Sequence, residues 1–363
     1  MIWTDARLRL PFGLLPSRDP GGRADQLMGS PPVETVSDRA EGLLVNWTKS
    51  RVIRLCLELY LRQSKRIWRI LPNGVRASPP GRMYGKHLNA LVRLLAERSQ
   101  SFGTYFLRNR SELEVIRHIV GRMGYGSALN LCVLACSKGA EVYSILWAIR
   151  SIRSDLRITT HAIDISPTIL SFAEQGIYSL GDCRSASNST KTADDAVAAN
   201  TEIDQDGWMF ERMTDAELQA MFAIEGDRAI IRSCLKEGVI WLCGDASDAK
   251  LVDGLGRQDM VVANRFLCHM DPASAATCLS NAARLVKPGG YLLVSGIDLD
   301  VRTEAATRLH WHPVTDLLKE THEGDPSLRQ GWPLEYWGLE PFGGDRRDRN
   351  IRYASVFQIG KGA

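Results

Sequence analysis

The residues able to do chemistry cluster in the middle of the chain. The stretch "LCVLACSKGAEVYS" (131–144) passes from an apolar strand into the first turn of a helix, through Cys136-Ser137-Lys138-Gly139-Ala140-Glu141. Such a junction normally offers backbone N–H groups and a helix N-terminus to a phosphate. Here there is a single glycine, Gly139, and a carboxylate, Glu141, that would repel a phosphate. No GxGxxG is present, and no lysine follows a glycine pair. Three more polar positions close apolar runs: Asp164 in "HAIDIS", Asp245 in "WLCGD", and Asn264-Arg265 in "MVVANRF". His269 follows in "CHMD".

Acids at successive strand ends suit a cofactor rich in donors and positive charge and free of phosphate. S-adenosylmethionine has those groups: a sulfonium, an α-ammonium, a ribose diol and an adenine amine. Asp164 can accept from both ribose hydroxyls and Asp245 from the adenine amine. Glu141 can accept from the ammonium or the ribose edge, and Gly139 allows close backbone approach. Plainer roles compete. A glycine after a strand can simply turn the chain. Asp164 could cap a helix, although Ser166, just before Pro167, is the better cap. Glu141 could complement the helix dipole, and Asp245 could be a turn acid.

These side chains need a sheet to hold them. Short apolar runs alternate with amphipathic helices from residue 127 onward, which predicts a doubly wound, mostly parallel α/β sheet. Strands are expected at 129–134, 158–163, 239–242, 260–263 and 291–295, and helices at 140–151, 167–175 and 273–285. In such sheets ligands bind at the carboxyl ends of the strands, near the switch point. Residues 183–207 read as a flexible polar insertion, and 219–242 as a three-stranded antiparallel excursion turning near Gly226 and Gly238. The tail run "RYASVFQIG" is expected at a sheet edge. "GGDRRDRNIR" reads as an exposed hairpin, and Trp332, Tyr336 and Trp337 as packing the tail on the sheet. The expected division is an irregular arm at 1–45, a helical segment at 46–110, and a catalytic domain at 111–363 with its insertion at about 183–238.

In the helical segment, helices are expected at 51–71 and 87–99, with "PNG" and "PPG" breaking the chain between them. Lys49 to Arg82 holds nine basic residues and one acid. In the first helix the basic residues share one face, while Ile53, Leu57, Tyr60, Leu61, Ile67 and Trp68 share the other. Its aromatics lie on the apolar face and offer no stacking platform, so no nucleic-acid partner is expected. The basic face is most simply a solvated one.

Composition is ordinary for a soluble globular protein: 363 residues, 44% hydrophobic, 24% charged and a formal net charge of +3. The eight cysteines show no CxxC or zinc spacing. His310 and His312 would share a strand face but lack a third ligand, so no metal is expected. Acid and arginine near the N-terminus replace the apolar core of a signal peptide, and no run would span a bilayer. A reducing, cytoplasmic setting is the expectation. Nothing in the sequence sets the oligomeric state.

From about residue 95 to 295 the chain resembles the CheR group of methyltransferases, which esterify receptor glutamates with S-adenosylmethionine. "TYFLR" (104–108) is similar to that family's T-x-F-F-R, and "ACSKGAEVYS" to A-x-S-T-G-E-E-P-Y-S. "IDIS" followed by "ILSFAEQGIY" resembles D-I-D followed by L-x-x-A-x-x-G-x-Y. "DMVVANRFLCHMD" has the length of D-x-I-x-C-R-N-V-L-I-Y-F-D. The resemblance implies a class I methyltransferase fold with a small antiparallel β insertion and an N-terminal helical segment. It implies that Thr104 and Arg108 cap the methionine end of the cofactor, with Glu141, Asp164, Asp245 and Asn264 at its other polar groups. Ala135, Ile165 and Ala246 complete the expected cofactor set. The family's Arg-Asn is here Asn264-Arg265, its methyl-site tyrosine is His269, and Ala140 and Val142 replace an acid and a proline of the loop. The tail from about residue 298, with "GDPSLRQGWPLEYWGLEP", lies outside the resemblance.

A carboxylate acceptor would need no base, and Arg108 or Arg265 could hold it. A hydroxyl or amine acceptor would need its proton removed, and His269 is the expected base. Its pKa is expected near 6.5, lowered by Arg265 and raised by Asp271. The expected function is methylation of a small molecule at O or N, or at a carboxylate as an ester. A chemotaxis-type protein-glutamate O-methyltransferase is the first alternative. A degenerate domain that binds cofactor or partner without turnover is the second.

Overall fold

The computed structural model describes residues 51–98, 101–181 and 207–360. The arm at 1–45 and the polar stretch at 183–206 lie outside the described residues.

Three helices open the described chain: α1 (Arg51–Ile70), α2 (Asn73–Ala77) and α3 (Pro79–Leu95). The expected first helix forms, but α3 starts well before residue 87. Pro79 and Pro80 occupy its first turn, where a missing N–H has no intrahelical partner to lose, and Ser78 caps it by accepting from Gly81 N at 3.3 Å. These prolines therefore open a helix and do not break the chain. Leu61 and Trp68 of α1 pack on Leu88 and Val92 of α3. The buried stripe of α1 is narrower than its sequence pattern: Tyr60 and Ile67 are 44% and 49% exposed, and Leu61, Ser64 and Trp68 are its buried residues.

A seven-stranded sheet in the order β6-β2-β1-β7-β8-β10-β9 forms the body. Its strands are β1 (Ala128–Leu134), β2 (Arg157–Asp164), β6 (Val239–Cys243), β7 (Gln258–Val262), β8 (Val286–Leu293), β9 (His312–Pro313) and β10 (Val356–Gln358). The first five are mutually parallel, and β10 is antiparallel to β8 and β9. The chain moves outward from β1 to β2 and β6, then returns to β7 on the other side of β1. That reversal opens a crevice at the carboxyl ends of β1 and β7. Helices α4 (Arg110–Gly121), α5 (Ala140–Arg150) and α6 (Pro167–Gln175) contribute to one apolar core. Helices α7 (Asp215–Met221) and α8 (Ala249–Leu255) follow in the chain, and α9 (Pro272–Arg284) and α10 (Leu299–Arg308) contribute to the other core. This is the class I methyltransferase fold. The tail strand β10 sits one position in from the edge, and β9 takes the edge.

The antiparallel insertion differs from expectation in its third strand. A second sheet has the order β3-β5-β4, from β3 (Ile177–Ser179), β4 (Phe222–Glu225) and β5 (Arg228–Ile231), with Gly226 at φ +62° in the β4–β5 turn. Residues 239–243 leave it to pair with β2 in the main sheet. Gly238 makes that turn: its φ is +77°, and a Cβ there would lie 2.2 Å from the Ile158 carbonyl oxygen. Phe222 and Tyr178 of this small sheet, with Phe210, surround Phe106 at ring distances of 5.0–5.3 Å. They fix the 104–108 segment over the crevice.

The tail also departs from expectation. Trp332 and Tyr336 pack on the N-terminal helices and not on the sheet: Trp332 meets Trp68 edge-on at 5.6 Å, and Asn89 donates to the carbonyls of Pro333 and Glu335. Residues Arg349–Tyr353, expected in a hairpin, form a short helix in which Arg352 is pinned by Glu340 at 2.7 Å and Asp300 at 2.8 Å. His310 sits in a left-handed turn before β9, so it and His312 do not share a strand face. Among the described residues no helix is long and apolar enough to cross a membrane, and no group of three His, Cys, Asp or Glu could hold a metal.

Candidate cofactor site

The loop after β1 is wound tightly. Ala135 and Ser137 have φ of 51° and 50°, a conformation that strains a non-glycine residue, and Gly139 follows at 82°. The Cys136 N–H donates to Ile163 O at 2.9 Å and the Gly139 N–H to Cys136 O at 3.0 Å, which holds the loop down. Gly139 opens α5, and a Cβ there would meet Ala173, Tyr143 and Trp241 at 3.1–3.3 Å. Both its φ and this packing require glycine.

Asp164 is buried at the end of β2. One carboxylate oxygen accepts from Ser137 N at 2.9 Å and the other from Ser166 N at 3.0 Å. Ser166 caps α6 as expected, which leaves the second lone pair of each Asp164 oxygen free for a ligand. The next residue, Ile165, leaves 52% of its surface exposed at the strand end, an apolar patch beside a carboxylate. Gly244 N donates to Asp164 O and joins the ends of β2 and β6. Asp245 is exposed there and accepts from Ser247 N, while Ala246 is buried and its carbonyl receives Asn281 Nδ2.

On the opposite side the 102–108 segment lies over this loop. Ser137 Oγ donates to Phe102 O, and Leu107 N donates to Ser144 Oγ, both at 2.9 Å. Thr104 is buried within the segment. Arg108 Nη2 donates to Gly103 O at 3.1 Å. Burial first, and Arg265 second, lower the Arg108 guanidinium to about 10, so it keeps its charge.

Asn264 links two carboxylates. Its Nδ2 donates to Glu141 Oε1 at 2.8 Å and to Glu112 Oε1 at 2.7 Å, while its Oδ1 accepts from Ser295 N. Burial and the nearby Glu141 push the Glu112 carboxyl up to about 7. Burial also raises Glu141, against the pull of Asn264, Arg108 and Arg265. Asp325, which lies between α11 (Leu318–Glu323) and α12 (Pro326–Gly331) and caps the latter, faces Arg212 at 3.2 Å and Arg265 at 3.4 Å. Burial alone would raise its carboxyl, but Arg265 and Arg108 hold it below the usual range.

Arg108, Glu112, Glu141, Asn264, Ser295 and Asp325 line a cavity of about 30 Å³, while Asp164, Arg212 and Arg265 lie outside its lining. Arg302 Nε and Thr321 Oγ1 are buried beside it with no hydrogen-bond partner, and Arg265 Nη1 and Asp325 Oδ2 meet only as an ion pair at 3.4 Å. Buried polar atoms without partners are costly, so this space suits water or the polar end of a ligand. The residue set fits S-adenosylmethionine: cationic Arg108 for a carboxylate, Glu141 and Asn264 for an ammonium, Asp164 for a diol.

His269 stands apart from this cavity. It ends the single turn Leu267–His269, and its Nδ1 lies 2.8 Å from Tyr336 Oη. Burial, then Arg265 and Arg98, lower its pKa to about 4, well under the expected 6.5. Asp271 does not counter this, because its carboxylate is turned to Ala273 N and Ser274 N at the start of α9. His269→Gln is therefore expected to cost less than about tenfold in turnover, against the ~10²–10⁴-fold of a true base. It should also leave the shape of the rate profile between pH 5 and 8 unchanged. Loss of an acidic limb in that profile on making His269→Gln would restore the base.

Glu112, Arg212 and Asp325 escaped the sequence reading. Glu112 looks like an ordinary acid at the third position of α4, where Asn109 Oδ1 accepts from its N–H at 3.2 Å. Asp325 looks like an Asp-Pro helix cap, which it also is.

Two family models match the chain. Residues 103–204 match the CheR methyltransferase, SAM binding domain, and residues 206–294 match a methyltransferase domain. No curated protein sequence matches it. Among solved structures, an O-methyltransferase family protein from Burkholderia thailandensis is 17% identical with a TM-score of 0.33, covering 79% of this chain and 62% of that one. This chain thus spans less than two thirds of that protein. The N-methyltransferase NodS from Bradyrhizobium japonicum, solved with S-adenosyl-L-homocysteine, is 13% identical with a TM-score of 0.30, covering 63% of this chain and 87% of that one. The two family matches follow one another along the sequence, and both are to methyltransferase domains, so residues 103–294 are similar first to the S-adenosylmethionine-binding domain of the CheR methyltransferases and then to a general methyltransferase domain.

Proposed function

We propose that the chain methylates a small-molecule acceptor held between the crevice and the tail. In this reading Asp164 takes the ribose diol, Ile165 lies along the adenine and Asp245 accepts from its amine. Glu141, with Asn264, takes the ammonium, and Arg108 takes the carboxylate. Thr104, Ala135 and Ala246 line the same path. Bound there, S-adenosylmethionine supplies an electrophilic methyl that needs in-line approach and a dry site. The protein's part is orientation and exclusion of water, and Arg108 and Arg265 are the cations available to an ionised acceptor.

The observation that carries a small acceptor is the cover over this side of the site. The tail at 332–340, the loop at 297–300 and α3 close around a cavity of about 330 Å³. That volume is at the small end of ligand pockets. With His269 held neutral by its low pKa, an acceptor that is already ionised fits better than one that must lose a proton. The second reading, a protein carboxylate, is favoured by the match of residues 103–204 to the CheR domain.

The test is a cell extract incubated with the enzyme and methyl-tritiated cofactor, then split into small-molecule and protein fractions. Label in small molecules is expected. Label confined to protein would support the second reading. Tight binding of S-adenosylhomocysteine with no label in either fraction would indicate a domain that binds without turnover.

A further inference from the structure

The cavity of about 330 Å³ lies back to back with the smaller cofactor cavity. Ser295 and Gly296 line the inner one, and the next residues, Ile297 to Asp300, line the outer. Leu339 lines both and is nearly buried. A ligand in the outer space is therefore one loop and one side chain away from Glu141 and Asn264. The space equals roughly eleven waters of liquid volume, enough for one or two rings and too little for a folded peptide.

The walls are aromatic and basic. Trp332, Tyr336 and Trp337 face the cavity, with Trp332 braced by Trp68 and Tyr336 packed against Trp337 at 4.8 Å. Four cations line it, Lys86, Arg93, Arg346 and Arg352, against three acids, Asp298, Asp300 and Glu340. The acids are already engaged by the wall itself. Arg93 holds Asp298 at 2.7 Å, and Arg352 holds Glu340 at 2.7 Å and Asp300 at 2.8 Å. Arg346 pairs with Asp348, outside the lining, at 2.6 Å. Lys86 makes no ion pair within 4 Å among the described residues, and it acts at longer range on Glu340: burial raises that carboxyl, but Arg352, Tyr353 and then Lys86 hold it below the usual range. A cationic ligand would find no free carboxylate here, whereas an anion would find, beside aromatic faces, an ammonium whose longer-range acidic neighbour, Glu340, is already held by Arg352.

We infer that the outer cavity is the acceptor site of the transfer proposed above, and that its acceptor is a small ring-bearing carboxylate held by Lys86. The inference rests on the small-acceptor reading and adds its substrate class. The chemistry balances without a base. A carboxylate oxygen forms the new C–O bond with its own lone pair as the C–S bond breaks and leaves its pair on sulfur. The products are a neutral ester and a thioether, and no proton moves. Loss of the negative charge on transfer would also weaken the hold of Lys86 on the product.

The experiment uses the full chain saturated with S-adenosylhomocysteine, titrated by calorimetry with indole-3-carboxylate and, separately, indole-3-carboxamide. The wild type is expected to bind the carboxylate at least tenfold more tightly than the carboxamide. Lys86→Glu, a change at an exposed position, should abolish that preference while keeping S-adenosylhomocysteine affinity within about twofold. Equal binding of the two compounds, binding of neither, or an unchanged preference in Lys86→Glu would overturn the inference. Extract labelling with the same two proteins separates this from the underlying reading. Small-molecule label undiminished in Lys86→Glu would overturn the inference and leave the reading standing. Label in protein alone, with carboxylate still bound through Lys86, would overturn the reading and leave an anion site.

Discussion

Asp164→Ala is expected to weaken S-adenosylhomocysteine binding by about 10- to 100-fold. Hydrogen bonds to a charged acceptor are worth about 1.5–3 kcal/mol, and each 1.4 kcal/mol is a factor of ten. The carboxylate is buried at the end of β2 and already accepts from Ser137 N and Ser166 N, so its orientation is set before any ligand arrives. Truncation would remove the proposed ribose acceptor and also release two backbone donors, one of them in a loop held at positive φ. Stability should therefore fall together with affinity. Asp164→Asn separates the two effects. It keeps the volume and one acceptor oxygen, but it turns an amide toward one of those N–H groups. It should lose affinity nearly as fully as alanine and lose less stability. Calorimetry showing equal affinity for wild type and Asp164→Ala would sink the ribose contact. A drop in thermal midpoint with unchanged affinity would assign Asp164 to the loop alone.

Much of this architecture was readable because strand ends are local. An apolar run followed by Asp164, or by Asn264, announces both the strand and the residue that its carboxyl end presents. The positions of β1, β2, β6 and β7 came from such runs, and the crevice follows from their order. What the runs could not reveal was pairing. Residues 239–242 fit two readings, a parallel-sheet strand and the third strand of the antiparallel excursion, because Gly238 reads as a turn; the turn is one that only glycine can make against Ile158 O, and it delivers the strand to β2. Non-local charge contacts were equally hidden. Asp325 and Arg212 are 113 residues apart and meet only when the tail is wrapped over the crevice. The three tail aromatics, Trp332, Tyr336 and Trp337, announced burial, but the sheet expected as their partner is replaced by α1 and α3 for Trp332 and Tyr336.

Glu112, invisible as a functional residue in the sequence, leads to the second large effect. Its carboxyl is pushed up from 4.5 to about 7, first by burial and then by Glu141. A folded value above the unfolded one means that the native state holds this proton more tightly. The resulting contribution to stability is fully present below about pH 4.5 and is lost as pH rises through about 7. At 1.36 kcal/mol per unit, the native state should lose roughly 3 kcal/mol of stability across that window through this group. Glu112→Gln removes the titration and can keep the contacts. Its Oε1 can still accept from Asn264 Nδ2, and its amide can donate to Ser355 Oγ, which in the wild type donates to Glu112 Oε2 at 3.2 Å. The variant should match the wild type in urea unfolding near pH 4.5 and exceed it by up to about 3 kcal/mol at pH 8. The same carboxylate lines the inner cavity with Glu141 and Asn264, where we propose that the methionine end of the cofactor binds, so a sulfonium and ammonium there should favour its ionised form. S-adenosylmethionine affinity should then rise between pH 6 and 8 in the wild type, with a shallower rise in Glu112→Gln. Parallel pH–stability curves for the two proteins would show that Glu112 is ionised in the fold, and the raised carboxyl would be wrong.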